Sequence, residues 1–416
     1  MALPRFLSVV LLSLMLVCAR VEARVTLGVP AAEADVQVGC LFPLDGRGGL
    51  YGKDSLVGIR LALEWLEQQE TTYPSLHIMV EDSRSRVSRA VRLVRAFVRE
   101  DNARFLCGVV NSSIAWAVSQ VAESERAFFI GTDHASTRLT EAPVSPYYFR
   151  VNNNIHQSMT AAAAYIRDRF PLPDNRPLRL SYLGPDYDYG YRMWRDFRDA
   201  LTDQGVDFEI VTVLWPRLYE PNYAPYIHAL TEQPVDLVVN ALWGGDLVAF
   251  VQQANQTPLF HRTRVANFDT GGNYEVLAAL GENMPSGLIL SARHHNNWPQ
   301  TAYNRWFVQR FHELSGRYPS YAAEGAYAGI LAIAEAIQTA GTDASDADVQ
   351  RALEHLQLKL PEDPPGFTSF MDPDTHQLQQ VISIGTSTAD DGLPPASKLL
   401  NDWYIHYPSS NSPTSD

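Results

Sequence analysis

Two short polar corners carry the residues best suited to chemistry. Asn111-Ser112-Ser113 follows the apolar run Arg104-Phe-Leu-Cys-Gly-Val-Val, and Asp133-His134-Ala135-Ser136 follows Ala127-Phe-Phe-Ile-Gly131. A serine where a helix begins places a hydroxyl and free backbone N–H groups at one point, which suits a carboxylate. The same serine also reads as an N-cap that ends a loop. A hydroxyl beside an imidazole is, in a hydrolase, a nucleophile with its base. Ser112 and His134 are the one such pair on adjacent loops, but no Gly-x-Ser-x-Gly turn surrounds Ser112 and no third residue orients the imidazole. The balance favours binding over catalysis.

The elements around the corners are legible from periodicity. Ile114, Ala117, Val118 and Val121 recur at helical spacing behind the first corner. The flanking apolar runs then read as parallel strands joined by a right-handed crossover helix, with their carboxyl ends side by side. Open α/β sheets bind ligands at such ends. Strands and helices alternate along the rest of the chain, with strands expected at Val36–Leu41, His77–Val80, Leu178–Leu183, Phe208–Leu214, Val235–Asn240, Arg264–Phe268, Gly287–Ser291 and Gln379–Ile384. The pattern predicts an α/β protein of two doubly wound parallel-sheet lobes sharing one cleft. Facing it in the second lobe would be the loops holding Asp186-Tyr-Asp188-Tyr189-Gly190, Trp243-Gly-Gly-Asp246 and Asp269-Thr-Gly-Gly272.

Composition narrows the partners. A formal charge of -14 without a basic run argues against nucleic acid and anionic membranes. Arg5 followed by the apolar run Phe6 to Val17 and Val21-Glu-Ala23 reads as a secretory leader cleaved after Ala23. Its loss removes Arg5, Arg20 and Glu22, which moves the charge from -14 to -15. Cys18 lacks the small preceding residue of a lipoprotein, since Val17 stands there. Cys40 and Cys107 fall inside strands and read as buried free thiols, with a bridge the lesser alternative. Tyr321 to Ala340 carries Glu324 and Glu335 and reads as a core helix, not a membrane span.

Five segments in this order resemble a known family: Gly-Val-Val-Asn-Ser112-Ser113, Arg138-Leu-Thr140, Tyr147-Tyr-Phe-Arg150, Asp186-Tyr-Asp-Tyr189-Gly190 and Leu-Trp243-Gly-Gly-Asp246-Leu-Val-Ala-Phe250. They are similar to the type I periplasmic solute-binding proteins, in the branched-chain amino acid (Leu/Ile/Val) group that feeds ABC importers. The resemblance implies two lobes joined by a three-segment hinge, with crossings near Phe149–Asn152, Gly287–Arg293 and Gly366–Gln379. The implied organisation is a leader at 1–23, lobe 1 at 24–150 and 289–372, lobe 2 at 151–288, a return strand and extension at 373–408, and a disordered tail at 409–416.

It also implies a ligand-binding set and no cofactor. Ser112, with Ser113, falls where a carboxylate is held, and Asp133 and Ala135 lie in the loop that meets the carboxylate and ammonium. Tyr51 lines the pocket mouth, Tyr189 and Trp243 are aromatic contacts from the second lobe, and Asp269 is the acid that pairs with an α-ammonium. The expected partners are a small solute, an amino acid or related amine, and an ABC permease in the inner membrane, with the binding protein a periplasmic monomer. Asp133-His134 and Ala135 depart from the small and hydroxyl residues usual there, which opens the site to basic, aromatic or amine-bearing solutes. A soluble sensor presenting its ligand to a signalling partner is the alternative.

Other features have plainer readings. The glycine-rich Asp45–Gly52 lacks a P-loop ending and reads as a flexible cleft loop. Asp186 and Asp188 read as a helix cap, and His294-His295 as a surface or hinge pair. Asn111-Ser-Ser113 matches the glycosylation pattern by chance.

Overall fold

The computed structural model describes residues 24–141 and 143–408. The expected leader and tail lie outside them. Two sheets organise the chain. The first contains β1 (Val25–Gly28), β2 (Val36–Phe42), β3 (Leu76–Asp82), β4 (Phe105–Gly108), β5 (Phe128–Gly131) and β6 (Tyr148–Arg150), joined late in the chain by β12 (Gln357–Leu358), β13 (Ser369–Asp372) and β14 (Gln377–Gln379). Its order is β1-β3-β2-β4-β5-β6-β14-β13-β12. The second contains β7 (Leu178–Leu183), β8 (Phe208–Leu214), β9 (Leu237–Asn240), β10 (Arg264–Asn267), β11 (Ile289–Ser291), β15 (Ile382–Ala389) and β16 (Lys398–His406), in the order β16-β15-β11-β10-β9-β7-β8.

Parallel neighbours need crossovers, and helices supply them. In the first lobe these are α1 (Gly49–Glu67), α2 (Val87–Arg99) and α3 (Ser112–Glu125). In the second they are α4 (Ile155–Arg169), α5 (Asp188–Asp203), α6 (Ala224–Thr231), α7 (Gly244–Ala254), α8 (Leu259–Arg262) and α9 (Tyr274–Leu280). The chain then returns to the first lobe through α10 (Ala302–Ser315), α11 (Tyr321–Ala340) and α12 (Asp346–Glu354). Covered on both faces, β4 and β5 are buried at every residue, which is why they read as continuous apolar runs.

Sixteen of the twenty residues of α11 are buried, so its apolarity serves a core. No helix among the described residues is long and apolar enough to cross a membrane. Small residues let α11 press close. A Cβ on Gly58 of α1 would lie 2.0 Å from the Ala323 carbonyl oxygen, and one on Gly325 would lie 1.9 Å from that of Thr132. The second of these contacts braces the loop that carries Asp133.

Three differences from expectation have physical causes. Cys40 and Cys107 form a disulfide, not free thiols. Parallel β2 and β4 are adjacent, with the two cysteines in register and 4.5 Å apart at Cα, a pairing that sequence does not reveal. Closing a 67-residue separation contributes about 4 kcal/mol on chain-entropy grounds, and the bond suits an oxidising compartment. The third passage between sheets falls between Gln379 and Ile382, because β13 and β14 form an antiparallel hairpin that stays in the first sheet. Likewise β11 belongs to the second sheet, so the second passage follows Ser291.

Candidate functional site

A small cavity of about 70 Å³ lies between the lobes, at the carboxyl ends of the central strands. From the first lobe it receives Tyr51, Ser112, Asp133, His134, Ala135 and Tyr321. Tyr187, Tyr189, Tyr219, Trp243 and Thr270 come from the second, and Arg293 from the second crossing. A larger open groove of about 1570 Å³ lies elsewhere, between α5 and the β13–β14 hairpin, and none of the predicted site residues lines it.

Ser112 is the first residue of α3, but the cap is Asn111. The Asn111 Oδ1 accepts from the N–H groups of Ser113 at 2.9 Å and Ile114 at 3.2 Å. The Ser112 hydroxyl is thereby released from capping and, among the described residues, accepts from the Ser136 N–H at 3.4 Å. Ser113 is exposed and takes no part in the cavity. The corner is swung into place by Gly108 and Val109, both at positive φ (105° and 71°). For a β-branched residue that conformation is strained.

The Val109 carbonyl is used by His134. Nδ1 donates to it at 2.7 Å, which leaves Nε2 to accept from the Tyr148 hydroxyl at 2.7 Å. Burial, with the nearby Arg150, drives the imidazole down to about 3, so it stays neutral. Both nitrogens point away from Ser112, and no nucleophile–base pair forms.

Asp133 lines the cavity. It is 1% exposed, and its carboxylate makes no ion pair and no close hydrogen bond among the described residues, with the Tyr321 hydroxyl its one polar side-chain neighbour acting on the charged form as a donor. Burial pushes its carboxyl up to about 7 despite the opposing pull of Arg293. An uncompensated buried carboxylate is costly unless something pairs with it.

Asp269 is placed differently from expectation. It lies behind the wall, fully buried, and does not line the cavity. Arg293 donates to it through Nη2 at 2.7 Å and Nε at 3.3 Å, Tyr189 through its hydroxyl at 2.7 Å and Ser158 at 3.0 Å. Burial would raise its carboxyl, but Arg293 together with the Tyr189 and Ser158 hydroxyls outweighs it and holds the group below the usual range. With four donated bonds, Asp269 has no capacity directed at an ammonium. Arg293 also donates to the Asp133 carbonyl and lies 5.0 Å from the Tyr321 ring centroid.

Aromatic rings form the walls. Tyr51 is 5.3 Å from Tyr321 and 6.3 Å from Trp243, centroid to centroid. The Trp243 indole donates to the Tyr187 hydroxyl at 3.1 Å. Such rings offer flat apolar surface with polar tips.

Several plainer readings change. Asp45–Gly52 is not simply a flexible loop, since α1 begins at Gly49 and fixes Tyr51. Asp186 and Asp188 do not cap α5, whose N-cap is Tyr187 with no side-chain bond. Asp188 instead accepts from Ser136 at 2.7 Å, joining the lobes. His294 and His295 are buried, which removes the surface half of their reading and leaves the hinge half, since they follow the passage after Ser291, and no group of three potential ligands could hold a metal among the described residues.

Thus Tyr51, Ser112, Asp133, Ala135, Tyr189 and Trp243 converge on one cavity, while Ser113 and Asp269 do not. Arg293, Tyr187, Tyr219, Thr270 and Tyr321 were missed. The Asp269–Arg293 pair left a trace, an acid and a base just past the ends of adjacent parallel strands β10 and β11.

Comparisons with known proteins agree with this geometry. The periplasmic binding protein family model matches residues 35–392. The Leu/Ile/Val-binding protein homolog 7 of Brucella suis is 21% identical over 381 residues, covering 88% of this chain and 92% of its own. A solute-binding protein of an ABC transporter from Rhodopseudomonas palustris BisB5, in complex with 3,4-dihydroxy benzoic acid, superposes with a TM-score of 0.77 at 20% identity, covering 89% of this chain and 97% of its own. An amino acid ABC transporter substrate-binding protein from Pseudomonas fluorescens Pf-5 gives 0.76 at 21%, covering 90% and 96%. At these identities the structural likeness speaks for the fold alone. The match of the family model along most of the chain, over a two-lobed fold with a cavity between the lobes, makes the chain a member of the periplasmic binding protein family.

Proposed function

We propose that this protein is the periplasmic solute-binding component of an ABC importer, and that it captures a small amine-bearing carboxylate, an amino acid or a relative, by closing two lobes on it. One observation carries the choice of solute: Asp133 presents a buried carboxylate with no ion pair among the described residues, inside a cavity that also holds the Ser112 hydroxyl, which is not used as a helix cap. An ammonium pairs with Asp133. The carboxylate meets Ser112 and the α3 N-terminus. Tyr51, Tyr189 and Trp243 sandwich the remainder, so a flat or aromatic side chain fits better than a branched aliphatic one. Asp269 acts indirectly by holding Arg293. The closed form, a monomer, is what the permease recognises, and solute shifts the open–closed equilibrium because its contacts come from both lobes.

A second reading has its own observation. Arg293 lines the cavity, and solved relatives bind benzoates, among them a Rhodopseudomonas palustris protein in complex with p-hydroxybenzoic acid. An aromatic acid without an amine would then sit against Arg293, with Asp133 protonated. Titration calorimetry against aromatic amino acids, amines and hydroxybenzoates separates the two. Tight binding of an amine-bearing solute, weakened at least a hundredfold by Asp133→Asn, supports the first. Binding of hydroxybenzoates alone overturns it.

A further inference from the structure

Among the side-chain contacts that join the lobes, such as Ser136 to Asp188 and Thr137 to Asp196, one lies at the cavity itself. The Tyr51 hydroxyl, on α1 of the first lobe, donates to Glu275 Oε1 on α9 of the second at 3.1 Å. The second lobe is shaped to receive it. Gly244 begins α7 at φ 50°, and a Cβ there would lie 2.9 Å from the Tyr51 oxygen. Tyr321 and Trp243 grip the ring from either lobe. We propose that Tyr51 and Glu275 form a latch that holds the cleft shut, with Glu275 a positioning residue that acts on the cavity only through Tyr51. The latch rests on the reading that the lobes swing apart, and it needs no solute to form.

The chemistry of Glu275 makes the latch respond to acidity. Burial, reinforced by Asp54, pushes its carboxyl up to about 7 against the opposing hydrogen bonds of its own backbone N–H, Tyr51 and Asn273. The groups facing it are Tyr51 and Asp54 from α1, Asp133 from the β5 corner and Tyr321 from α11. Of the cations near them, Arg317 is committed to Asp54 and Arg293 to Asp269. In an open cleft Glu275 would return toward the ordinary glutamate value, near 4.5. The closed form therefore binds the extra proton. That contribution to closure is fully present below about 4.5 and is lost as pH rises through about 7.

The test uses the mature chain, free of added solute, with spin labels at exposed positions of the two lobes, Glu67→Cys and Glu232→Cys. The lobe-to-lobe distance is read by double electron–electron resonance between pH 5 and 8.5. The parent protein should shift from short to long distances across that range. Glu275→Ala should lower the closed-to-open ratio about tenfold at pH 5, the worth of a hydrogen bond to a carboxyl. Glu275→Gln, which keeps the acceptor and cannot titrate, should close with no pH response beyond that of Asp133. Gly244→Ala should open the cleft by displacing Tyr51, and it serves where Glu275→Ala fails to fold. Unchanged distances in Glu275→Ala and Gly244→Ala, or an undiminished pH response in Glu275→Gln, overturn the latch. Because the distances are read without solute, a working latch in a protein that binds no amine would overturn the solute assignment alone.

Discussion

Asp133→Asn should make the protein more stable and functionally worse. In the folded protein, burial pushes the Asp133 carboxyl from 3.8 to about 7. At about 1.4 kcal/mol per pH unit, that amounts to roughly 4 kcal/mol against the charged form in the closed cavity. The sign follows from linkage. A raised carboxyl contributes stability that is fully present below the unfolded value and lost as pH rises through about 7. Without solute, the parent protein should therefore lose stability between pH 5 and 8, and Asp133→Asn should flatten that loss. Unfolding entropy of about 2 cal/mol/K per residue over a chain of this length converts 4 kcal/mol into about 5 °C. This is an upper value, because an open cleft rehydrates the carboxylate. An ammonium solute reverses the balance by pairing with the charge, and removing one partner of a buried pair costs about 3–5 kcal/mol, a hundredfold or more in affinity. Differential scanning calorimetry at pH 5 and 8, with titration calorimetry on the same variant, measures both effects. A variant less stable than the parent at pH 8, or binding the solute within threefold of it, would refute the reasoning.

Three further outcomes are expected. Asp269→Asn should strip the buried Arg293 of its countercharge and cost about 3–5 kcal/mol of stability, read by urea unfolding; a loss of affinity with stability intact would restore Asp269 as a ligand contact. Cys40→Ser with Cys107→Ser should cost about 4 kcal/mol, and thiol titration of a denatured chain beginning at Arg24 should find no free thiol unless a reductant is added. Gly325→Ala, whose Cβ would lie 1.9 Å from the Thr132 carbonyl oxygen, should cost about 1–3 kcal/mol and weaken solute binding by moving the neighbouring Asp133, as thermal unfolding and calorimetry would register.

Much of the architecture was legible because parallel strands covered on both faces leave unbroken apolar runs, and the crossover helices leave a 3.6-residue period. Leu178–Leu183 and Phe208–Leu214 were also bounded correctly, although the second is an edge strand that is half-buried at best and its run is broken by Glu209. Strand register was not legible, and with it went the Cys40–Cys107 bond. The β13–β14 hairpin was missed for a related reason. Its short strands flank a turn containing Pro373 and Asp374, so a pattern of alternation blurs across the gap at Gln380 and Val381. At the site, residues on strand-end corners could be nominated, because topology brings those ends together. What separated Asp133 from Asp269 was which acid a cation had already claimed. Arg293 decides that from 24 residues beyond Asp269, and no local pattern announces it.

The disulfide has a mechanical consequence. It fastens β2 to β4 directly beneath the corner that carries Ser112, and among the described residues the second lobe has no such staple. The two halves of the jaw are therefore not equals. The first is an anvil, its floor riveted and its brace, α11, sunk in the core. The second is held without such a rivet. On the proposed function, a solute landing first on Ser112 and Asp133 would meet a surface already set, and less of the entropy of gripping it would be lost from that half.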